Sequence, residues 1–444
     1  MAKKYKILSL DGGGSWAILQ VLTLEKIFQK KYPNKIIKGH EVLRHFDLVI
    51  ANSGGSMVLA ALSCNWTFKK ILDLFQKEEI TNAIFTKLKR KEQYFPTNFL
   101  RFFNVKNLGA KYSTTKKKQA LVDLLLVDDK KPLNAINLTK LPNIIGKDSL
   151  EIVVATFDII NRRAKFFRSN KNSKARAEII ANHDHFDEVS LVEAIHGSSN
   201  APINYFDFPA VFSPKNTRKR FYLWDGALGG FNNPVEAGLT EALANGIKRE
   251  DIYILSLGTA SKITSNEIAQ KFRDEYYGTL FRKKIIHNKE GYIDFKKTLK
   301  KGTFLGRLIK RPKKSFIGLK FFKSTLSNMS QSILFEPQTW SNYSTCINLF
   351  SGDLNKNDHE HRFIRLSPQI VNDESDEFIK QLYDLDMDIT EKKELDLIIK
   401  CFDKWEKSEI INEPIQWSKT INGDYIFAKG HQTFSDAMND LNWL

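Results

Sequence analysis

The chain has 444 residues, of which 42% are hydrophobic, and its formal net charge is +17. An apolar fraction of this size is ordinary for a globular protein and is enough to bury a sizeable core. No run of about 18 uncharged apolar residues occurs, which excludes a membrane-spanning helix. The three cysteines are far apart and odd in number, so they predict neither a disulfide framework nor a metal site, and we expect no metal and no cofactor.

The predicted elements, taken in chain order, alternate between strands and helices. Short apolar runs bounded by polar or glycine-containing turns predict strands at Tyr5–Leu10, Phe46–Ile50, Glu151–Phe157, Lys165–Arg168, Phe221–Trp224 and Ile252–Leu257. Helical spacing of apolar residues predicts helices at Trp16–Phe28, Met57–Leu62, Ser190–Ile195 and Pro234–Leu243. This alternation predicts an α/β fold with a mainly parallel central sheet that is covered on both faces.

The second half of the chain is less regular. Residues 262–350 lose the alternating pattern, and we expect an irregular, basic insertion or cap there. His361–Leu366 predicts one late return to the sheet, and a helix is predicted from about Asp373 to Lys407. We therefore expect a main domain over residues 1–370 and an acidic, mainly helical extension over residues 371–444 that packs on it.

The positive charge is concentrated in one short stretch. Residues 282–323 carry 15 Lys and Arg against 2 acidic residues, whereas residues 324–444 carry a net charge of −10. A positive field of this kind favours anionic partners such as a phospholipid surface. The alternative is a solvated loop that balances the acidic residues after it.

A glycine-rich turn follows the first predicted strand. Asp11, Gly12, Gly13 and Gly14 stand between that strand and the next predicted helix. Consecutive glycines leave backbone N–H groups unobstructed, and the N-terminus of the helix adds a positive dipole. The turn therefore predicts an anion site, either for a phosphate or for a developing oxyanion. A tight turn without any ligand stays open.

Ser53 stands between a predicted strand and a predicted helix and is followed by glycine, which is the form of a nucleophile elbow. Such an elbow needs small residues where the chains approach closely, and Ala51 and Gly55 meet this need on the two sides of the serine. Ser56 falls inside the helix and is expected to face its own turn. Ser53 is therefore the predicted nucleophile.

Asp225 closes a predicted strand and is followed by Gly226. The end of a strand is where an open α/β sheet presents the groups that contact its ligand. An isolated Asp-Gly pair is more often only a turn. Asp225 is therefore a candidate site residue only because the glycine turn and the Ser53 segment precede it in the same chain.

In their order along the chain, these segments resemble the patatin-like phospholipase family. The matching segments are Asp11-Gly12-Gly13-Gly14, Ala51-x-Ser53-x-Gly55, Ser198-Ser199-Asn200-Ala201-Pro202, Asp225-Gly226-Ala227, Asn232-Asn233-Pro234 and Leu255-Ser256-Leu257-Gly258-Thr259, with Phe363–Leu366 as the family's late strand. The resemblance implies a three-layer α/β/α fold. It also implies a lipid acyl hydrolase of the phospholipase A type, which cleaves acyl esters through a Ser–Asp dyad without a histidine.

The resemblance also implies a role for individual residues. Ser53 would be the nucleophile and Asp225 the general base that takes its proton. The N–H groups of Gly12, Gly13 and Gly14 would form the oxyanion hole.

The sequence departs from the family pattern at two places. A basic residue usually follows the glycines, whereas Ser15, Trp16 and Ala17 stand there in this chain. This puts the preference for an anionic head group in doubt more than the reaction. Ala51 replaces the usual first glycine of the elbow, and its methyl group is small enough for activity to survive.

Three alternatives stay open. A Ser–His–Asp triad would need a histidine, and His196, His359, His361 and His431 are available. A nucleotide-binding protein would use the glycine turn for phosphate, but no Gly-Lys-Ser/Thr follows the turn as a P-loop requires. A catalytically idle binding module would keep the fold without turnover, and the presence of both dyad residues argues against it.

The expected partners follow from the activity and the charge. We expect a phospholipid substrate and a protein that is cytoplasmic and peripherally associated with anionic membranes when active. The first residues contain no apolar signal-peptide core, although secretion without one stays open. Unregulated hydrolysis would damage the cell, so we expect an activating small molecule or protein, and a homo-oligomer stays open. No nucleic acid is expected, because no recognition fold accompanies the charge.

Overall fold

The computed structural model describes residues 4–89, 92, 110–175, 189–202, 205–214, 220–263, 339–352, 361–372, 375–419 and 425–444. The basic stretch 282–323, and with it most of the predicted insertion, lies outside the described residues. Among the helices that are described, none is both long and apolar enough to cross a membrane.

Strands occupy much of the described chain. They are β1 (Tyr5–Leu10), β2 (Leu48–Ala51), β3 (Leu126–Val127), β4 (Lys131–Pro132), β5 (Glu151–Asp158), β6 (Arg163–Arg168), β7 (Ala210–Phe212), β8 (Phe221–Asp225), β9 (Ile252–Leu257), β10 (Ser261–Ile263), β11 (Phe363–Leu366), β12 (Gln369–Val371), β13 (Gln416–Lys419) and β14 (Tyr425–Lys429). The main sheet contains eight of them, and the other six form three separate pairs, β3–β4, β10–β12 and β13–β14.

Helices connect and flank these strands. They are α1 (Ile18–Lys31), α2 (Gly39–Arg44), α3 (Ser53–Ser63), α4 (Phe68–Gln76), α5 (Glu78–Ile84), α6 (Thr114–Leu124), α7 (Leu141–Ile145), α8 (Leu191–Ser198), α9 (Val235–Ala244), α10 (Glu377–Asp384), α11 (Lys392–Glu406) and α12 (Phe434–Asp440). Short 3₁₀ turns lie at Gly14–Ala17, Leu133–Ala135, Leu138–Lys140, Gly226–Gly229 and Arg249–Asp251.

The main sheet is mostly parallel, as its sequence pattern predicts. Its parallel part has the order β11, β9, β1, β2, β5. Leu10 of β1 is in register with Ala51 of β2 on one side and with Leu257 of β9 on the other. The carboxyl ends of three neighbouring strands therefore meet at one edge, which is where open α/β sheets bind their ligands.

β8 reaches the same edge from the opposite direction. It runs antiparallel to β5 and to β7, and β6 also pairs antiparallel with β5. The last residue of β8, Asp225, is in register with Thr156 of β5. Thr156 lies two residues beyond Val154, the partner of Ala51 at the end of β2. The antiparallel direction of β8 thus brings Asp225 close to the elbow after β2.

The sheet has a hydrophobic core on each face. Successive residues of β1 point to opposite sides, as the pleat of a strand requires. Ile7 packs in a cluster with Val235 and Leu239 of α9, whereas Leu8 and Leu10 belong to the larger cluster that contains residues of α1, α3 and α8. The result is the expected α/β/α arrangement of three layers.

α3 begins earlier than its sequence suggests. The apolar spacing predicts a helix from Met57, because Gly54 and Gly55 are poor helix formers. In the structure α3 begins at Ser53 itself. The Gly55 N–H donates to the Asp11 carbonyl, and this packing of α3 against the end of β1 overrides the local propensity of the two glycines.

The helix predicted from about Asp373 to Lys407 is wrong. Two helices, α10 and α11, occupy this region and are separated by residues 385–391. The carbonyl groups of Met387 and Ile389 accept hydrogen bonds from Ser15 in the first half of the chain. Contacts with a distant segment therefore replace the bonds that would continue the helix. Further along, β13 and β14 form a hairpin that the expectation of a mainly helical extension missed.

Candidate active site

The glycine turn after β1 is shaped by close contacts. Gly14 has a φ of +59°, a left-handed conformation that glycine adopts without strain. A Cβ at Gly13 would collide with the side chain of Thr259. The Gly12 N–H donates to the Asn232 carbonyl at 2.7 Å, and the Thr259 hydroxyl donates to the Gly12 carbonyl at 2.5 Å. The turn is therefore fixed from two sides, and only glycine fits at its centre.

Ser53 lies at the elbow between β2 and α3. Its φ of +46° is in the left-handed region, which is uncommon for a residue with a side chain. The first turn of α3 passes close to the glycine turn: the Gly55 N–H donates to the Asp11 carbonyl at 3.0 Å. A Cβ on Gly55 would come within 2.5 Å of the Leu10 carbonyl oxygen. The Ser56 hydroxyl donates to the Ser53 carbonyl at 2.6 Å and so faces its own turn, as expected.

The buried carboxyl group of Asp225 faces Ser53. Ser53 and Asp225 line the same cavity. Asp225 Oδ1 accepts from Asn52 Nδ2 at 3.0 Å and from the Ala227 N–H at 2.9 Å. Burial raises the pKa of Asp225, and hydrogen bonding by Ser53, Ala227 and Asn52 opposes the shift because it stabilises the ionised form.

A polar pair that the sequence pattern did not single out holds the serine and the aspartate in position. The Ser198 hydroxyl donates to Asn52 Oδ1 at 3.2 Å and accepts from the Ser53 N–H at 2.9 Å. Because Asn52 also donates to Asp225, one chain of hydrogen bonds joins α8, the elbow and the end of β8. Asn52 is adjacent to Ser53. Ser198 begins the segment Ser198-Ser199-Asn200-Ala201-Pro202, which also matches the family pattern.

A buried ion network supports the start of the glycine turn. Arg365 of β11 contacts Asp11 at 2.7 Å and Glu413 at 2.7 Å, and its third partner is the Ser256 hydroxyl at 2.9 Å. All three charged side chains are at most 2% exposed. Burial raises the pKa of Asp11, and the Arg365 guanidinium opposes this shift. No local sequence pattern links these residues, which are brought together only by the sheet.

A cavity of about 520 Å³ opens in front of Ser53 and Asp225. Apolar side chains line much of it, among them Trp16, Met57, Leu74, Phe75, Ile84 and Phe85. Two lysines, Lys117 and Lys262, also line it. The size and the apolar wall suit an acyl chain.

One wall of the cavity comes from residues 383–389, which we call the C-terminal strap. Its carbonyl groups accept from the Ser15 N–H and hydroxyl, from Trp16 Nε1 and from Lys262 Nζ. Its Asp386 and Asp388 contact Lys111 at 3.3 and 2.9 Å. Ser15 and Trp16, which stand where the family usually has a basic residue, thus tie the glycine turn to the strap.

A scan against protein-family models matches residues 8–239, more than half of the chain, to the patatin-like phospholipase family. The chain belongs to the patatin-like phospholipase family. This family region carries the glycine turn, the elbow and Asp225, whereas Arg365, Glu413 and the C-terminal strap lie beyond it.

The patatin-like chain also resembles individual proteins. A cGAMP-activated phospholipase from Vibrio cholerae serotype O1 is 23% identical over 271 residues, which cover 58% of this chain and 65% of the relative. The match therefore spans somewhat less than two thirds of that relative's length. The crystal structure of VipD from Legionella pneumophila aligns with 91% of this chain and 67% of its own, at 11% identity and a TM-score of 0.34.

Within the described residues, no histidine lines the cavity of this patatin-like protein. His196 is buried in α8, and burial lowers its pKa well below the ordinary value. His361 stacks near Tyr253, and His431 contacts Asp440 at 3.0 Å. His359 lies outside the described residues. The same part of the chain contains no group of three or more His, Cys, Asp or Glu side chains that could hold a metal ion.

Proposed function

We propose that the protein is a serine lipid acyl hydrolase that cleaves acyl esters of phospholipids. The observation that carries the proposal is that Ser53 and Asp225, joined through Asn52 and Ser198, lie together at the wall of a largely apolar cavity. In this mechanism Asp225 takes the proton of Ser53 as the hydroxyl attacks the ester carbonyl. The proton then passes to the departing alcohol, and water activated by Asp225 hydrolyses the acyl-enzyme.

The proposed oxyanion hole combines the glycine turn with the elbow. Among the described residues, no oxygen accepts from the N–H of Gly13 or Gly14. Gly54 lies in the first turn of α3, where N–H groups lack a partner within the helix. Elbows commonly use the N–H after the nucleophile in this way. The Gly12 N–H already donates to Asn232, so we propose that Gly12 acts by shaping the turn.

We further propose that a small molecule activates the enzyme. The Vibrio cholerae relative is activated by cGAMP, a cyclic dinucleotide, and matches more than half of this chain. An inactive resting state would also protect the host cell's own lipids. cGAMP is therefore the first activator to test.

One experiment tests the hydrolase itself. Purified full-length protein is incubated with phospholipid vesicles, with and without cGAMP, and released fatty acid is measured. A fluorophosphonate probe is applied in parallel, and the labelled peptide is identified by mass spectrometry. We expect fatty acid release and labelling at Ser53. A protein that releases no fatty acid under either condition and takes up no probe would be a binding module rather than a hydrolase.

Membrane docking is a separate proposal, and it concerns residues 282–323. Their cations alternate with aromatic and aliphatic side chains, a composition typical of interfacial adsorption. Each cation near an anionic surface contributes about 1 kcal/mol. We therefore replace four cations of this stretch with glutamate, at Lys310, Arg311, Lys313 and Lys314. This variant should sediment with anionic vesicles about tenfold less or weaker still. The matched control reverses four exposed lysines elsewhere, at Lys69, Lys392, Lys393 and Lys407. Equal loss in both variants, or equal binding to neutral vesicles, would rule out docking by this stretch.

A further inference from the structure

A buried lysine lies beside the dyad without a carboxylate partner. Lys117 of α6 is 1% exposed and lines the same cavity as Ser53 and Asp225. Its ammonium group donates to the His196 carbonyl at 3.1 Å and to the Ser199 hydroxyl at 3.4 Å. It also lies 4.1 Å from the centroid of the Phe206 ring. Two neutral acceptors and an aromatic face thus surround the charge.

Several other buried or half-buried cations contact carboxylates, whereas Lys262, the second lysine of the cavity, donates to the Tyr383 and Leu385 carbonyls of the strap. Arg365 contacts two carboxylates, Arg168 contacts Glu241 at 2.8 Å, and Lys111 contacts Asp386 and Asp388. Among the described residues no carboxylate lies within 4.0 Å of Lys117 Nζ, the limit for an ion pair. A charge that is buried without a counter-ion is costly, because water and a partner are both missing.

A purely structural role explains only part of this arrangement. His196 lies in the last turn of α8, so Lys117 caps a carbonyl group that lacks a partner within the helix. An ammonium group has three N–H donors, and the bonds to the His196 carbonyl and the Ser199 hydroxyl use two of them. Burial also lowers the pKa of Lys117, and the Asp225 carboxylate acts against this shift. Asp225 Oδ1, however, accepts from Asn52 and Ala227, and no ion pair joins Asp225 to the lysine among the described residues.

We propose that Lys117 binds the phosphate of a glycerophospholipid while the acyl ester lies at Ser53. The inference rests on the proposed hydrolase function and adds the residue that makes the site prefer a lipid with a phosphate. A phosphate oxygen would accept the third N–H and supply the missing negative charge, and charge-assisted hydrogen bonds of this kind are the strong ones. An uncharged acyl ester, such as diacylglycerol, gains nothing from the lysine. Lys117 would thus replace the cation that is absent after the glycine turn.

The test compares two lipids with the same acyl chains, phosphatidylglycerol and diacylglycerol, in micelles of an uncharged detergent. kcat and KM are measured for full-length wild type, for Lys117→Met and for the matched control Lys116→Met, which removes an exposed charge from the same helix. We expect wild type to prefer phosphatidylglycerol. Lys117→Met should lower the ratio of kcat/KM values for the two lipids at least tenfold, mainly through KM, while Lys116→Met keeps the ratio.

A second variant covers loss of folding. Lys117→Gln keeps amide donors for His196 and Ser199 but has no charge, and it should lower the ratio as Lys117→Met does. Inhibition by free fatty acid is measured with the same proteins, because a product carboxylate could occupy the same position.

Three results would overturn the inference. They are an equal loss on both lipids, which would mean that Lys117 acts on Asp225; no lipid preference in wild type; and relief of fatty-acid inhibition with an unchanged lipid ratio. Hydrolysis of neither lipid by activated wild type would instead refute the hydrolase function on which the inference rests.

Discussion

The two sides of the cavity are built in different ways. On one side lie Ser53, Asp225 and the glycine turn, each within a short motif of the family region 8–239. On the other side lies the C-terminal strap, and the Arg365–Glu413 pair supports Asp11 outside the cavity; both come from residues beyond that region and form no local motif. The groups proposed to do the chemistry are therefore encoded locally, whereas the groups that hold them are supplied by distant segments.

The largest effect should come from the dyad on the family side. Ser53→Ala and Asp225→Ala should each lower kcat for lipid hydrolysis by roughly 10⁴-fold or more, and the double variant should be no worse than either single one, because the residues act as a unit. Fatty acid release by protein of unchanged thermal stability checks this. Ser56→Ala, a buried serine in the same helix, is the control and should remain active. Full activity in Ser53→Ala would end the dyad assignment.

The glycine turn should follow in size. Gly13→Ala should lower kcat by roughly 10²–10³, the usual cost of losing an oxyanion donor. The new Cβ would meet Thr259 and displace the turn. Lipid binding should change little, so single-turnover rates and vesicle binding are measured separately. Gly246→Ala is a fitting control, since Gly246 also has a positive φ but nothing lies within 4 Å of an added Cβ. Weaker binding with normal turnover at saturation would contradict the proposed role.

Changes to the Arg365–Glu413 pair should lower the free energy of unfolding more than they lower activity. Arg365→Met leaves Asp11 and Glu413 buried without their cation, and such a loss costs about 3–5 kcal/mol. The deficit should be larger at pH 8 than at pH 5. Burial raises the pKa of Asp11, and the variant lacks the guanidinium that opposes this shift, so the folded state holds a proton that the unfolded state releases as the pH rises. Urea unfolding at both pH values checks this, with the half-buried Arg362→Met as control. A deficit that does not depend on pH would contradict the explanation.

The smallest effect should come from a single strap contact. Trp16→Phe keeps the ring in the cavity wall but removes the Nε1 donor to the Asp386 carbonyl, a bond of 3.1 Å. One such hydrogen bond contributes about 1 kcal/mol, so kcat should fall roughly fivefold. Trp340→Phe, at a tryptophan that is 64% exposed, is the control. If Trp16→Phe changed neither kcat nor KM, the strap would be a wall only and would not position the glycine turn.

The same division explains what could be predicted from sequence. The strands, the layered fold and the positions of Ser53 and the glycine turn follow from local periodicity and from glycine chemistry, and the structure has the strands and the elbow where these patterns indicate. Asn52 and Ser198 are 146 residues apart and meet only when α8 packs against the elbow. Arg365 and Asp11 meet only through the order of β11, β9 and β1. No spacing in the chain encodes these contacts.

The break between α10 and α11 shows the limit most clearly. Residues 377–406 have helical apolar spacing on both sides of the strap, and Asp386 and Asp388 do not by themselves stop a helix. Between the two helices, the backbone carbonyl groups accept hydrogen bonds from Ser15, Trp16 and Lys262. These donors are distant in sequence, so the residues around the break do not indicate it. The sequence does not single out Lys117 either, because its neighbours Lys116 and Lys118 are also lysines and the three together are typical of a solvated helix face.

The strap also bears on the order in which the protein becomes competent during synthesis. Ser53 and Asp225 are synthesised long before residues 383–389 and Glu413. Until those later residues arrive, the cavity lacks one wall, Ser15 and Trp16 lack their acceptors, and Arg365 lacks one of its two carboxylates. A growing chain would therefore carry Ser53 and Asp225 without a complete cavity until translation is almost finished.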